Sequence, residues 1–276
     1  MLSLSSPAKI NLFLRILRKR EDGYHELASL FQAIDLCDTL HFEIAAQDRF
    51  TCSDASLPTD QTNLVVKAMN LFRRKSGIQA PLTIHLEKHI PQQAGLGGGS
   101  SNAATTLWAY NQLCGKPATD AELVAWGSEI GSDISFFLSQ GTAYCTGRGE
   151  VLRPLAPLAP ADLWIVKPAQ GLSTPQVYGR LQAALLPQRN PEEVLTGFFN
   201  GHPTYFNDLE TPAFDALPEL ASLKQQLQAA GFSHVLMSGS GSSFFCLGQG
   251  VLPEQTELAC FPARYINRHS DHWYAA

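Results

Sequence analysis

The sequence predicts an α+β fold, organised as two modest domains or one large one. The chain has 276 residues, near the size of about 250–300 residues at which single cores stop growing. Segments with the period of a strand and segments with the period of a helix are mixed along its whole length. Prolines recur at regular spacing in the segment 152–162, as in a connector between lobes. We therefore predict one lobe at 1–156 and a second at 157–276.

The first strand is predicted at residues 8–17. Its apolar side chains occur at every second position and alternate with Lys9, Asn11 and Arg15, among others. Period 2 is typical of a half-buried strand and excludes an amphipathic targeting helix. The remaining elements of the N-terminal half are a strand at 30–46, a helix at 63–74, a strand at 82–87, a helix at 103–113, a helix capped by Thr119 and Glu122, and a hairpin at 141–152.

In the C-terminal half, residues 162–168 form an apolar segment with the composition of a strand. A helix is predicted at 173–185, capped by Ser173 or Thr174 and with Pro175 in its first turn. Another helix is predicted at 217–230. Two apolar strands are predicted around the glycine-serine turn within 234–248.

Composition excludes several classes of protein. The net charge is −5, whereas proteins that wrap nucleic acid carry a basic excess, so we expect no nucleic-acid partner. No apolar run approaches the length of about 18 residues needed to span a membrane, so we expect no membrane association. The six cysteines form no C-x-x-C pair, which favours reduced thiols in the cytoplasm. A monomer or a homodimer is compatible with the sequence.

The segment GLGGGSSN at 95–102 lies between a predicted strand and the start of a predicted helix. Glycine allows consecutive backbone N–H groups to turn toward one anion, and the helix start adds a partial positive charge. The hydroxyl of Ser100 or Ser101 could contact a phosphate oxygen or Mg²⁺. No lysine follows as in a Walker A loop, and Ser100 stands where a Rossmann fingerprint needs glycine or alanine. The segment is therefore predicted to bind phosphate through its backbone N–H groups and the helix start, without either of these motifs. The alternative is a flexible glycine-rich turn without a ligand.

Three segments together resemble the three motifs of the GHMP kinases, in the same order. They are SPAKINLFLRI at 6–16, PQQAGLGGGSSNAA at 91–104 and SGSGSSFF at 238–245. Two further segments, EDGYHELASLFQAIDLCD at 21–38 and GSDISFF at 131–137, resemble the diphosphocytidyl-methylerythritol kinases within that superfamily. The resemblance covers essentially the whole chain. Before the glycine loop, however, this sequence has Gln92, Gln93 and Ala94, where many members are richer in glycine.

The resemblance implies an N-terminal lobe like ribosomal protein S5 and a C-terminal ferredoxin-like sandwich, with the active site between them. It implies a transferase that uses ATP and Mg²⁺ to phosphorylate the 2-hydroxyl of a small cytidine diphosphate-linked substrate in non-mevalonate isoprene biosynthesis. Lys9 and Asp133 match the catalytic positions. The ATP-binding set that we assign is Asn63, Gly95, Leu96, Gly97, Gly98, Gly99, Ser100 and Ser101. The substrate-binding set that we assign is Asn11, Tyr24, His25 and Tyr178.

Each of these residues also has a structural interpretation. Asp133 could cap the helix that follows it, Lys9 could be an exposed strand residue, and each tyrosine could be a packing residue. Three other functions are open: a GHMP kinase with a different alcohol substrate, a non-catalytic nucleotide-binding regulator of the same fold, and an RNA-binding module. The acidic balance of the chain disfavours the last of these.

Overall fold

The structure is a computed structural model that describes residues 1–254, 256–269 and 272–274. The C-terminal limit of the second predicted lobe, residue 276, lies outside them. The strands are β1 (Leu2–Lys19), β2 (His25–Ile44), β3 (Arg49–Cys52), β4 (Leu82–Glu87), β5 (Thr142–Gly147), β6 (Val151–Pro154), β7 (Asp162–Pro168), β8 (Phe206–Asn207), β9 (His234–Met237), β10 (Phe244–Leu247) and β11 (Leu258–Arg264). The α-helices are α1 (Leu64–Ser76), α2 (Gly98–Leu113), α3 (Asp120–Ile130), α4 (Ile134–Phe137), α5 (Thr174–Tyr178), α6 (Pro191–Phe199), α7 (Glu210–Ala216) and α8 (Glu219–Ala229).

Two sheets form the centre of the molecule. The larger has seven strands, in the order β3-β4-β2-β1-β8, with β5 paired to β2 and β6 paired to β5. The smaller has four antiparallel strands in the order β11-β7-β10-β9. If the four strands of the smaller sheet are numbered 1 to 4 in chain order, their order in the sheet is 4-1-3-2. This is the order of a ferredoxin-like sheet, as the resemblance implies.

The sheets and helices stack in four layers. Helices α1 to α4 pack on one face of the larger sheet, where Phe42 and Phe72 belong to the same buried cluster. The other face of the larger sheet contacts the smaller sheet through residues such as Ile10 and Ile165. The outer face of the smaller sheet packs on α7 and α8. Each sheet is therefore covered on both sides, which is the arrangement that buries two apolar faces at once.

This layering contradicts the prediction that the first strand is half-buried. Strand β1 is buried on both faces from Ser6 to Ile16, instead of being half-buried. Ile10 and Leu12 belong to the cluster shared with the smaller sheet, while Lys9 and Asn11 line the cleft and are 3% and 1% exposed. Over residues 8–12 the alternation in the sequence therefore separates an apolar core from a polar cleft, and not a core from solvent.

The length predicted for the helix at 173–185 is also wrong. Helix α5 ends at Tyr178, and Ala183–Leu185 form a separate turn of 3-10 helix. Gly179 follows the last helical residue, and glycine weakens a helix interior. The predicted cap is confirmed, because Ser173 and Gln176 form a capping box around Pro175. The capping box of Thr119 and Glu122 is confirmed as well.

The predicted boundary at 156/157 falls between β6, in the larger sheet, and β7, in the smaller. The two halves are nevertheless joined, because β8 pairs in parallel with β1 at Phe13 and Leu14. The division into two lobes stays a prediction. Among the described residues, no helix is both long enough and apolar enough to cross a lipid bilayer.

Candidate active site

One cleft of about 1040 Å³ lies where the two sheets, α2, α4 and α5 meet. It brings together residues that are far apart in the chain, from Lys9 to Gly241. All but one of the residues predicted from the sequence line it: Lys9, Asn11, Tyr24, His25, Asn63, Gly95, Leu96, Gly97, Gly98, Gly99, Ser100, Asp133 and Tyr178.

The glycine loop forms one wall of the cleft. Gly95 and Gly97 have φ angles of 71° and 72°, in the left-handed region that favours glycine. Gly97 precedes the first residue of α2, and no side chain caps this helix. The first N–H groups of a helix have no partner within the helix. At this position they face the cleft beside the positive end of the helix dipole, which suits an anion.

The loop is held by the turn between β9 and β10, which is the third motif. The Ser238 hydroxyl donates a hydrogen bond of 3.0 Å to the Gly95 carbonyl. The backbone N–H groups of Ser242 and Ser243 donate to the carbonyls of Gln93 and Ala94, at 3.2 and 3.3 Å. A Cβ atom added to Gly95 would lie 1.9 Å from the Ser238 carbonyl oxygen. The close approach of these two backbones therefore requires glycine at position 95.

The ammonium of Lys9 links the glycine loop to Asp133. Lys9 Nζ donates to Asn11 Oδ1 at 2.7 Å and to the Gly95 carbonyl at 3.0 Å. The same atom lies 3.6 Å from Asp133 Oδ2 and 4.8 Å from the centre of the Phe31 ring. Lys9 is thus a buried cation between a carbonyl and a carboxylate, and its interpretation as an exposed strand residue is wrong.

Asp133 occupies the position before α4 where a capping residue is expected. Its side chain makes no capping hydrogen bond, so its interpretation as a helix cap is wrong. The side chain is 30% exposed, and its only ion pair within the described residues is with Lys9. The carboxylate is therefore oriented toward the cleft by a cation and stays accessible to a ligand.

Aromatic side chains form a recess at the other end of the cleft. The rings of His25 and Tyr178 lie 5.2 Å apart at an angle of 37°. Tyr24 is 57% exposed, and the guanidinium of Arg148 lies 4.9 Å from its ring centre. We call these four residues the aromatic recess. Its ring faces are suited to a flat, uncharged ligand group.

Protonation in the recess follows from burial. Desolvation lowers the pKa of His25 below 6.5, and the nearby Lys19 ammonium lowers it further. The imidazole is therefore neutral at pH 7 and can both donate and accept a hydrogen bond. Burial raises the pKa of Tyr178, and the Asp133 carboxylate adds to this effect. The phenol consequently stays neutral and can donate a hydrogen bond.

The sequence patterns of two protein domains match this chain. GHMP kinases N terminal domain matches residues 63–141, and GHMP kinases C terminal matches residues 182–258. The 4-diphosphocytidyl-2-C-methyl-D-erythritol kinase of Protochlamydia amoebophila (strain UWE25) is 58% identical over 272 residues, which are 99% of this chain and 92% of that protein. The chloroplastic/chromoplastic enzyme of the same name from Solanum lycopersicum is 46% identical over 292 residues, covering 99% of this chain and 73% of that protein.

A crystal structure of 4-(cytidine 5′-diphospho)-2C-methyl-D-erythritol kinase superimposes with a TM-score of 0.82. It is 35% identical in sequence, and the match covers 96% of this chain and 99% of that one. This chain belongs to the 4-diphosphocytidyl-2-C-methyl-D-erythritol kinase family. The resemblance noted in the sequence is confirmed, and with it the GHMP kinase fold and the assignment as an ATP-dependent small-molecule kinase.

Two predicted ATP-binding residues also have structural partners in this kinase. Asn63 caps α1 by accepting from the Val65 N–H at 2.9 Å, and its amide donates to the Pro58 carbonyl at 2.7 Å. It lines the cleft but is already engaged. Ser101 does not line the cleft: it is fully buried, and its hydroxyl accepts from Ser6 at 2.8 Å. Of the two serine hydroxyls, only that of Ser100 is therefore placed for a ligand.

Sequence reasoning missed the buried pair of Lys88 and Asp38. Lys88 Nζ lies 2.9 and 3.0 Å from the two carboxylate oxygens of Asp38 and also donates to the Ile90 carbonyl. It lines the cleft, and a Cβ atom added to Gly98 would lie 3.4 Å from it. A second cation is thus present at the start of α2. In the sequence, the one signal for Lys88 is its position a few residues before the glycine loop. Arg148 was missed because nothing in GRGE marks it.

Proposed function

We propose that this protein transfers the γ-phosphoryl group of ATP to the 2-hydroxyl of 4-(cytidine 5′-diphospho)-2-C-methyl-D-erythritol. This reaction is a step of non-mevalonate isoprenoid biosynthesis. One observation carries the proposal: the Lys9 ammonium lies between the Gly95 carbonyl and the Asp133 carboxylate, in a cleft with an anion cradle on one side and an aromatic recess on the other. Phosphoryl transfer depends mostly on such positioning and on charge stabilisation.

The reacting groups would meet at Asp133. The oxygen of the substrate hydroxyl attacks the γ-phosphorus, the bond from that phosphorus to the oxygen of ADP breaks, and Asp133 accepts the hydroxyl proton. Lys9 holds the carboxylate in place and offsets negative charge on the transferring group. The backbone N–H groups at the start of α2 hold the phosphates. A loose transition state releases the proton late, so a carboxylate is a sufficient base.

The aromatic recess would bind the cytosine. Tyr24 and Tyr178 offer ring faces, and stacking of a base on an aromatic ring is worth about 1–3 kcal/mol. Neutral His25 can hydrogen-bond the edge of the base. Asn11, which accepts a hydrogen bond from Lys9 and donates one to Ser29 at 2.9 Å, would border the sugar-alcohol end of the substrate.

Magnesium fits this site as a companion of the nucleotide. Mg²⁺ is usually bound through one or two protein oxygens together with substrate phosphates and water. The Ser100 hydroxyl and the Asp133 carboxylate both line the cleft and could supply such oxygens. When bound, the ion would neutralise phosphate charge. We place the reaction in the cytoplasm because all six cysteines are free thiols, and a monomer or homodimer stays our prediction.

The proposal is tested by measuring ADP release with three acceptors: the cytidine substrate, mevalonate and homoserine. We expect kcat/KM to be highest for the cytidine substrate. Asp133→Asn should lower kcat by at least about 10²-fold while KM changes little, because it removes the base and keeps the shape. A preference for mevalonate or homoserine would overturn the assigned substrate, and near-normal turnover by Asp133→Asn would remove Asp133 from the mechanism.

A further inference from the structure

The C-terminal end of the chain returns to the N-terminal half of the molecule. Beyond β11, the described residues 266–269 and 272–274, which we call the C-terminal strap, pack beside α2, α4 and β1. Trp273 and Tyr274 are 6% and 4% exposed and belong to the buried cluster under the larger sheet. This segment is therefore anchored in the core and is not loosely attached to the surface.

Arg268 of the strap binds the backbone directly after α4. Its Nε donates to the Ser139 carbonyl at 2.7 Å, and its Nη2 donates to the Leu138 carbonyl. Its own backbone N–H donates to the Gln140 carbonyl at 3.0 Å. The hydroxyl of Tyr274 donates to the Ser139 carbonyl as well, at 3.3 Å. Three consecutive carbonyls, at residues 138–140, are thus satisfied by the strap in the turn that directly follows α4.

Helix α4 needs such external support. It has only four residues, and no side chain caps its start. A single turn of helix is unstable alone, since nucleation is costly and few hydrogen bonds form. Its place is therefore set by contacts outside the helix: packing of Phe136 and Phe137, the bond from the Ser135 hydroxyl to the Val124 carbonyl at 3.0 Å, and the bonds that Arg268 makes to the turn after it. Asp133 immediately precedes this helix, so its carboxylate and the turn bound by Arg268 lie at opposite ends of one short helix.

The strap also contacts the two elements that carry the other reactive groups. The Trp273 indole N–H donates to the Ser5 carbonyl at 2.7 Å, on the strand that carries Lys9. The Trp273 ring lies 5.2 Å from the ring of Trp108 on α2, the helix of the anion cradle. The strap thus touches β1, α2 and the turn after α4. Lys9 on β1 and Asp133 at the start of α4 form the ion pair of 3.6 Å.

We propose that Arg268 is a positioning residue for the kinase reaction: by binding the carbonyls after α4, it holds Asp133 at its working distance from Lys9. This inference rests on the proposed function, in which Asp133 is the base. Arg268 is not among the residues that line the cleft, so we expect it to make no contact with substrate. Its effect is on the geometry of the reacting groups, where a displacement of about 1 Å can cost about 10²-fold in rate.

The first test is Arg268→Lys, which keeps the charge but loses the planar fork that reaches two carbonyls at once. We expect kcat to fall by about 10-fold while KM for ATP and for the cytidine substrate stay within about 2-fold. The matched control is Arg264→Lys, at an exposed arginine of β11 that pairs with Asp162 at 2.7 Å. The control should keep normal kinetics. An unchanged kcat in Arg268→Lys overturns the proposal.

A double-mutant cycle separates positioning from general loss of structure. If Arg268 acts through Asp133, Arg268→Lys should not lower kcat further in the Asp133→Asn background. An equal fall in both backgrounds overturns the proposal. Should Arg268→Lys fail to fold, Tyr274→Phe decides, since it removes one donor to Ser139 and keeps the ring. A fall in kcat of about 2- to 3-fold is then expected, and an unchanged kcat rejects the idea.

Hydrogen exchange distinguishes failure of this inference from failure of the proposed function. If the protein does not phosphorylate the cytidine substrate, the proposed function fails, but the strap can still be tested in the full chain. Amides of 134–140 should exchange faster in Arg268→Lys than in the unmodified protein, while amides of α1 should not change. Unchanged exchange at 134–140 would mean that Arg268 does not hold this segment.

Discussion

The anion cradle and the aromatic recess lie in one cleft but are built in opposite ways. The cradle consists of main chain, and its first glycine, Gly95, is held against the backbone of Ser238. The recess consists of side chains, one of which, Tyr24, is 57% exposed. A phosphate group is bound by N–H groups in a fixed arrangement, whereas a base needs only a ring face of the right size. The cradle should therefore be sensitive to a single added carbon atom, and the recess should tolerate change.

The largest effect is expected from Gly95→Ala. The new Cβ atom would meet the Ser238 carbonyl oxygen at 1.9 Å, and residue 95 has a φ of 71°. The loop must then move, so kcat/KM for ATP should fall by about 10²-fold. Steady-state kinetics with varied ATP would measure this fall.

The matched control for this change is Gly115→Ala, beyond the end of α2. Gly115 has a φ of 80°, but nothing lies within 4 Å of its added Cβ atom. It shares the backbone strain without the collision, and kcat/KM for ATP should stay within about 2-fold. Equal losses in the two variants would show that strain, and not contact with the third motif, requires glycine at position 95.

A smaller effect is expected from Tyr24→Ala in the recess. Loss of the ring removes one stacking surface, which is worth about 1–3 kcal/mol, so KM for the cytidine substrate should rise by about 10-fold or more. KM for ATP should not change, because Tyr24 lies in the recess and not in the cradle. Tyr24→Phe, which retains the ring, should bind the substrate normally. An unaltered KM in Tyr24→Ala would argue against stacking on this side chain.

The smallest effect concerns the pKa of His25. Burial is the first cause of its lowered pKa, and the Lys19 ammonium is the second. A neighbouring cation disfavours the protonated imidazole, so Lys19→Met should raise the pKa of His25 toward 6.5 without reaching it. An NMR titration of the imidazole signal, assigned with His25→Gln, would measure the shift.

Lys67→Met is the control for this titration, since Lys67 is an exposed lysine on α1. It should leave the pKa of His25 unchanged. If Lys19→Met also leaves it unchanged, the charge of Lys19 is screened by solvent, and burial accounts for the shift alone.

Much of the site could be predicted because its chemistry lies in short segments. The glycine loop, Lys9 with Asn11, and Asp133 are each carried by a motif with a distinctive spacing of residue types. The cap residues of α3 and α5 were predicted for the same reason, since capping depends on neighbours three residues apart. The length of α5 was not predicted correctly, because the helical periodicity of the sequence continues past Gly179 whereas the helix ends at Tyr178.

Contacts between distant segments could not be predicted. Lys88 pairs with Asp38, and Arg268 binds the carbonyls of Leu138 and Ser139. Neither pairing leaves a pattern within a window of ten or twenty residues. The interpretations of Asp133 as a cap and of Lys9 as an exposed residue were rejected only by their positions in the cleft.

The amino-acid sequence specified which segments turn, which begin helices, and which residue types are available for phosphate and base recognition, because these depend on local backbone and side-chain chemistry. Folding decided which of those residues meet. Strand β1 is buried on both faces, Ser101 points into the core and Asp133 faces Lys9 because two sheets and two layers of helices stack on each other. The burial of a residue depends on what covers it, and the covering elements come from remote parts of the chain.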